Sequence, residues 1–343
     1  MIVNSSKSGT GLLKRGPVTR KDVIAFLGRY GFMIALLLPA IFLFITNETF
    51  RSPMNLSNIL AQSSMVGVAA IGMTVVMILG GFDLSIGAIA ALTGLVAVLI
   101  MGDGHPVMMV LGALACIGTG AALGAVNGTL VSKVGINPLI VTLAMASLLR
   151  GIVLISSEGT IHRVHGDAYS ITTLALGRWG YFPIAGLFFI GAIIIGWFVL
   201  RYFKLGRWIY AIGGSEKAAT LAGVPVSIVV IFCYTLIGAF GGVAGLLFTA
   251  RTGTALTTTG IGLEIDAITA TVIGGTRLGG GHGTIVGTVL GVLLLGVIRN
   301  GLNLNGVSPF WQPLIIGAIL LITVTISVRT SAGQNEKSQA GFG

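Results

Sequence analysis

The sequence predicts an all-α, polytopic membrane protein with about ten transmembrane helices, and three observations predict it. Of 343 residues, 54% are hydrophobic and 9% charged, with a mean hydropathy of +0.99, whereas a soluble domain carries about 25% charged residues. Apolar runs of roughly 20 residues, enough to cross a hydrocarbon core about 30 Å thick, recur along almost the whole chain. The 53 glycines supply the small side chains on which close helix packing in lipid depends.

The spans read as 30–47, 59–80, 84–101, 107–131, 138–155, 183–203, 226–248, 262–275, 283–302 and 311–328, together a permease-like domain over 30–328. The first follows a basic segment, 1–29, with no small-residue cleavage site, so it reads as a retained anchor. The fourth holds the small-residue stretch Gly112 to Gly128, read as a packing surface. Cys116 and Cys233 fall inside spans and read as buried free thiols. The eighth span is short and glycine-ended. A re-entrant or broken segment would explain it equally well, provided it is buried in protein or lines a cavity. The stretch 329–343, rich in Gly, Ser, Gln and Lys, reads as a flexible tail.

The net charge of +10 does not imply nucleic acid binding, because the basic residues are scattered through short loops with no soluble domain to form a groove. Their placement is topological. Lys7, Lys14, Arg15, Arg20, Lys21 and Arg29 precede the first span, while Lys133, Arg201, Lys204, Arg207, Lys217, Arg277, Arg329 and Lys337 follow even-numbered spans. The positive-inside rule makes that side cytoplasmic, both termini included. The opposite loops carry Arg51, Arg163, Arg178 and Arg251. The longest of them, 156–182, is either a surface for an external protein partner or a solvated connector, and it holds Glu158, His162, Arg163, His165, Asp167 and Arg178.

Between the sixth and seventh spans lies a charged, helix-capable island, Leu205 to Pro225. Ser215 can cap a helix, Glu216 complements its positive end, and Ala218, Ala219 and Leu221 favour it. Gly223 can close it, with Pro225 preventing continuation. A helix of about two turns is unstable alone in water. It is therefore either a linker held by its own protein or a handle for a partner's groove, with Arg207, Glu216 and Lys217 on the rim.

Two glycine-rich turns join spans two to three and eight to nine. Gly80-Gly81-Phe82-Asp83-Leu84-Ser85-Ile86-Gly87 aligns with Gly274-Gly275-Thr276-Arg277-Leu278-Gly279-Gly280-Gly281, as an imperfect internal duplication would. Asp83 reads as a helix cap beside Ser85, with gating as the alternative for an ionisable residue at depth. Arg277 stands at the aligned place.

Polar residues inside spans are candidate contacts for a neutral solute: Gln62, Asn127, Asn300 and Asn303, with Phe310 and Trp311 near an outer mouth. Ser63, Ser64, Thr74, Thr142, Ser147, Thr269 and Thr271 more often bond their own helix backbone. Asn127 and Asn300 each precede Gly at an expected helix end. Arg150 and Arg299 are expected to snorkel or pair, and Glu264 and Asp266 open the eighth span. No histidine has ligand spacing, no nucleophile–base arrangement stands out, and no cofactor or metal is expected. No lysine sits in a G-x-x-x-x-G-K-[ST] phosphate loop, so this chain cannot cradle ATP itself.

Lys217-Ala218-Ala219-Thr220-Leu221-Ala222-Gly223 resembles the Glu-Ala-Ala-three-residue-Gly coupling loop of ABC importer permeases, with Lys217 at the usual glutamate position. GGFDLSIG, Val126-Asn127-Gly128, Ile136-Asn137-Pro138-Leu139-Ile140-Val141-Thr142-Leu143, Leu149-Arg150-Gly151, Ile273-Gly274-Gly275-Thr276, Arg299-Asn300-Gly301-Leu302-Asn303 and Gly306-Val307-Ser308-Pro309-Phe310-Trp311-Gln312 together resemble the sugar-type permeases of ribose, xylose, galactose and arabinose importers. The resemblance implies a helical permease of about ten spans in the bacterial inner membrane, working as a homo- or heterodimer. Its implied partners are two ATP-binding cassette subunits at the coupling helix, 215–223, and a periplasmic sugar-binding protein. It implies monosaccharide import by alternating access, with no enzymatic activity in this chain. A permease for branched-chain amino acids or nucleosides, or an ion-coupled secondary transporter, remains the alternative.

Overall fold

The computed structural model describes residues 38, 40–102, 104–164 and 169–340. Most of the expected first span, the segment 1–29, and His165 and Asp167 lie outside the described residues. After a single helical turn at Glu48–Arg51, the helices in chain order are α1 (Pro53–Leu79), α2 (Ile86–Met101), α3 (Pro106–Thr129, prolonged by a π-helical turn at Leu130–Val134), α4 (Pro138–Ser156), α5 (Tyr169–Leu176), α6 (Ile184–Arg201), α7 (Lys204–Gly214), α8 (Glu216–Leu221), α9 (Val226–Thr252), α10 (Leu263–Ile273), α11 (Ile285–Leu304) and α12 (Trp311–Ala340). Prolines at the first turn of α1, α3 and α4 and side-chain caps from Ser52, His105 and Asn137 start these helices, since proline is pre-set for a position whose N–H is unused.

Among the described residues, six helices are long and apolar enough to cross a membrane: α1, α3 with its π turn, α4, α6, α9 and α11. Two shorter apolar segments, α2 and Trp311–Thr325 of α12, accompany them. The helices bear out an all-α polytopic membrane protein; six of the expected spans are long helices, while those at 84–101, 262–275 and 311–328 contain α2, α10 and the apolar part of α12. α12 continues into the stretch expected as a tail, reaching Ala340.

The core is α1. Every residue from Gly67 to Leu79 is buried, as expected of a helix that is apolar all round. Against it and one another pack α6, α9, α10 and α11. α3 and α9 approach to backbone contact along a small-residue seam. A Cβ on Gly120 would lie 2.2 Å from Gly238 O, one on Gly124 2.0 Å from Tyr234 O, and one on Gly242 2.3 Å from Cys116 O. The small-residue stretch read from the sequence is this seam. Both cysteines are free and buried. On the outside, α3, α4 and α6 expose large apolar side chains such as Leu114, Ile140, Ile155 and Ile194, which water would not tolerate over so wide an area.

The helix ends define two faces. On one, Gly281 N–H donates to Ile78 O at 2.8 Å and Ser227 Oγ donates to Ser132 O at 3.4 Å, bringing together the ends of α1 and α10, α7 and the starts of α9 and α11. On the other, the Asn55 and Asn300 amides pair mutually at 2.9 and 2.8 Å. There β1 (His162–Arg163) pairs antiparallel with β4 (Thr254–Ala255), and β2 (Arg178–Trp179) with β3 (Phe182–Pro183). Arg178 donates to Ser57 Oγ and, at 2.7 Å, to Asn58 Oδ1. The long loop 156–182 is therefore folded down onto α1 in part, not simply a free connector.

Candidate functional site

Two polar places interrupt the apolar interior, one toward each face. Toward the β1–β4 face, a cavity of about 640 Å³ opens among α1, α9, α10, α11 and α12. Beyond β4 the chain turns back into the protein instead of continuing across its surface. Arg150 of α4 holds this return by donating from Nη1 to Thr257 O at 3.1 Å and Thr259 O at 2.7 Å. Gly260, at φ 68°, then presses on α2, where a Cβ on Gly87 would meet Gly260 O at 2.2 Å. α10 begins at that depth. Its eleven residues rise about 16 Å, roughly half the thickness of a bilayer core, the length a broken or re-entrant segment would have. Its first turn carries Glu264 and Asp266, and Asp266 Oδ1 pairs with Arg299 Nη2 of α11 at 2.5 Å beside the cavity.

At the opposite face, α7 and α8 form an elbow. α7 buries Gly206, Ile209 and Ile212, one stripe at helical spacing. Its Tyr210 hydroxyl donates to Gly283 O at 2.8 Å. Burial pushes the Tyr210 phenol above its ordinary value, so it stays a protonated donor. Gly213 fits between the two glycine turns, where a Cβ would lie 1.9 Å from Ile78 O and 2.5 Å from Gly281 N. α8 starts where the sequence placed it, with Ser215 Oγ accepting from Ala218 N at 3.2 Å. It ends at Gly223, φ 79°, with Gly223 N–H on Thr220 O and Val224 N–H on Ala219 O, both at 3.0 Å. Of its six residues only Ala219 is buried. Arg207, Glu216, Lys217 and Ala218 face outward, and so does Leu221, 83% exposed.

The glycine turns share a helix ending but not the register that their sequences suggest. Gly80 N–H reaches Met77 O and Gly81 N–H reaches Val76 O. Gly275 N–H reaches Val272 O and Thr276 N–H reaches Thr271 O. Gly80, φ 98°, therefore corresponds to Gly275, φ 88°, one residue off the sequence alignment, and Asp83 stands opposite Leu278 rather than Arg277. Asp83 serves the start of α2 from two residues before its N-cap. The N-cap of α2 is Ser85, which makes no side-chain cap bond of its own, and Asp83 Oδ1 accepts from Ser85 N–H at 2.8 Å and Ser85 Oγ at 2.6 Å. Asn127 Nδ2 donates to Ser85 Oγ at 2.9 Å, and Tyr234 OH to Phe82 O at 2.9 Å. Asp83 is fully buried, whereas Arg277 is exposed.

Gln62 lines the cavity. Asn303 accepts from Gln312 Nε2 at 2.7 Å, and Phe310 and Trp311 are exposed at that rim. Asn127 stands in the last turn of α3 before its π-helical prolongation, and Asn300 four residues before the end of α11. Both are buried and cross-link helices. Ser64, Thr74, Thr142, Thr269 and Thr271 each donate to the carbonyl four residues back, as most such residues in membrane helices do. Among the described residues no group of three His, Cys, Asp or Glu could hold a metal ion. The sequence reading missed α7 as a separate helix, although the spacing of Leu205, Ile209 and Ile212 signals it, and it expected Arg299 to snorkel or pair without naming Asp266, a partner that no local pattern announces.

Residues 55–324 match the family described as branched-chain amino acid transport system / permease component. The ribose import permease of Escherichia coli strain K12 is 39% identical over 302 residues, 86% of this chain and 92% of that protein. The ribose import permease of Bacillus subtilis strain 168 is 40% identical over 306 residues, 89% and 94% respectively. The D-allose transport system permease of E. coli K12 is 34% identical over 305 residues, covering 88% and 92%. No solved structure matches the chain.

Proposed function

The chain belongs to the family of branched-chain amino acid transport system permease components, and from that premise we propose that it is the membrane-spanning subunit of an ATP-driven importer that moves a monosaccharide into the cytoplasm by alternating access. Its similarity over nearly the whole chain to permeases named for ribose and allose carries this reading. The chain is a permease and not an enzyme, and ATP hydrolysis belongs to a separate subunit. It is a multi-pass protein of the inner membrane. About ten spans are reached when the segment before α1 and the shorter α2, α10 and α12 are counted, with both termini and the α7–α8 face cytoplasmic.

In this reading α8 docks in a groove of the ATP-binding subunit. Leu221 is its apolar anchor, and Arg207, Glu216 and Lys217 supply the rim. Movement of α8 passes through α7 to the turns at Gly80, Gly81 and Asp83 and at Gly274, Gly275 and Arg277, which open and close the inner side. The sugar enters from a periplasmic binding protein past Phe310, Trp311 and Asn303 to Gln62, while Asn127 and Asn300 keep the helices in place. A second permease copy, identical or related, completes the assembly.

The docking role is tested by copurification with the ATP-binding subunits. Replacing Arg207, Glu216 and Lys217 by Ala together with Leu221→Asp is expected to abolish the association, and intact association would sink it. The family description itself favours a second reading, branched-chain amino acids. Uptake of leucine but of no sugar by the reconstituted complex would establish that reading instead.

A further inference from the structure

The cavity at the β1–β4 face has one wall of unusual chemistry. Met65, Phe248 and Ile316 make it apolar, yet Asp266 and Arg299 stand in the same lining with Gln62. The pair is mostly withdrawn from solvent, with side chains 15% and 28% exposed. An arginine and a carboxylate can engage through two parallel hydrogen bonds, but here the ion pair is Nη2 to Oδ1. Arg299 Nε is buried and has no hydrogen-bond partner among the described residues. The wall thus presents a net-neutral pair, in which Arg299 keeps an unpaired but buried Nε–H. Arg150, by contrast, is committed to the carbonyls of Thr257 and Thr259 and fixes the loop beneath.

We propose that Asp266, Arg299 and Gln62 form a recognition subsite for an uncharged polyhydroxyl solute inside the permease, one that reads the arrangement of neighbouring hydroxyl groups during passage. One hydroxyl donates to the Asp266 carboxylate and accepts from the Arg299 guanidinium. A neighbouring hydroxyl bonds the Gln62 amide, and a C–H face of the ring lies on Phe248. An anionic sugar would draw Arg299 from Asp266 and leave a carboxylate partly buried and unpaired, and a cation would strand Arg299, both costly arrangements. The same pair therefore rejects charged analogues. This subsite rests on the monosaccharide reading given above.

The test uses proteoliposomes holding the permease with its ATP-binding subunits and binding protein. It records uptake of ribose, allose and arabinose beside binding-protein-stimulated ATP hydrolysis. The neutral double variant Asp266→Asn/Arg299→Gln and the swapped variant Asp266→Arg/Arg299→Asp are expected to keep stimulated hydrolysis. Uptake should fall on the order of tenfold, the cost of losing about one hydrogen bond to a charged group, and the ratios among the three sugars should change. Gln62→Leu, which leaves the pair untouched, is expected to change those ratios as well. Wild-type uptake and ratios in the swapped variant would mean that only an ion pair is needed, which overturns the proposal. So would unchanged rates in the neutral variant, or loss of hydrolysis in both pair variants with wild-type ratios in Gln62→Leu. If the parent complex takes up none of the three sugars, the monosaccharide reading itself fails and the subsite with it.

Discussion

The turn after α1 and the turn after α10 end their helices with the same pair of backbone hydrogen bonds, yet they lead to different surroundings. After Gly80 the chain is buried, and it re-enters a helix at Ile86, with Asp83, Ser85, Asn127 and Tyr234 joined in one network. After Gly275 it stays near the surface, passes the exposed Arg277 and starts α11 only at Ile285. The four extra residues are glycine-rich, and they bring Gly281 against Ile78 and Gly283 under Tyr210. Backbone geometry is what the two turns have kept in common. One uses it to bury a polar network, and the other uses it to clasp α7.

If this comparison is right, the largest effect comes from the residue touching both turns. Gly213→Val places branched carbon where Ile78 O and Gly281 N already sit, and overpacking against backbone costs about 3 kcal/mol. The thermal midpoint in detergent should drop sharply, and a parent-like melt would dissolve the idea that α7 is wedged between the turns. A middle-sized effect separates the turns. Asp83→Ala leaves Ser85 N–H and Oγ without their acceptor at a cost of about 2 kcal/mol. Asp83→Asn, which retains Oδ1, should melt close to the parent, and Arg277→Ala, at an exposed position, should cost less than Asp83→Ala. Equal melting losses for Asp83→Ala and Arg277→Ala would erase the contrast. The smallest effect concerns what the turns share. Gly80→Ala and Gly275→Ala meet no atom within 4 Å, so each costs only the left-handed backbone penalty, about 1 kcal/mol. Clearly unequal shifts would break the structural equivalence.

Legibility from sequence follows the range of the interaction. The cap at Ser215, the closure at Gly223 and the seam of small residues in α3 are local signals, and the structure realises them where the sequence placed them. The shortness of α10 is legible as a run with glycine at its end. Asn127 and Asn300 looked like helix ends because a glycine follows each, but their partners Ser85 and Asn55 are 42 and 245 residues away, and that contact fixes their surroundings. The Asp266–Arg299 pair is likewise a tertiary fact, spanning 33 residues and two helices. The one-residue slip between the glycine turns shows a limit of matching letters. The letters match best with Gly80 on Gly274, whereas the backbone pairs Gly80 with Gly275, since only one glycine of each pair adopts the left-handed conformation.

The seam between α3 and α9 has a mechanical consequence. Where carbonyl oxygens of one helix sit within reach of a missing Cβ on the other, neither rod can roll or slide without colliding with backbone, which unlike a side chain has no other rotamer to retreat to. The two helices must travel as a single spar. Any opening and closing of this molecule has to be found at its margins, where α8 hangs from one buried alanine and α10 stops halfway.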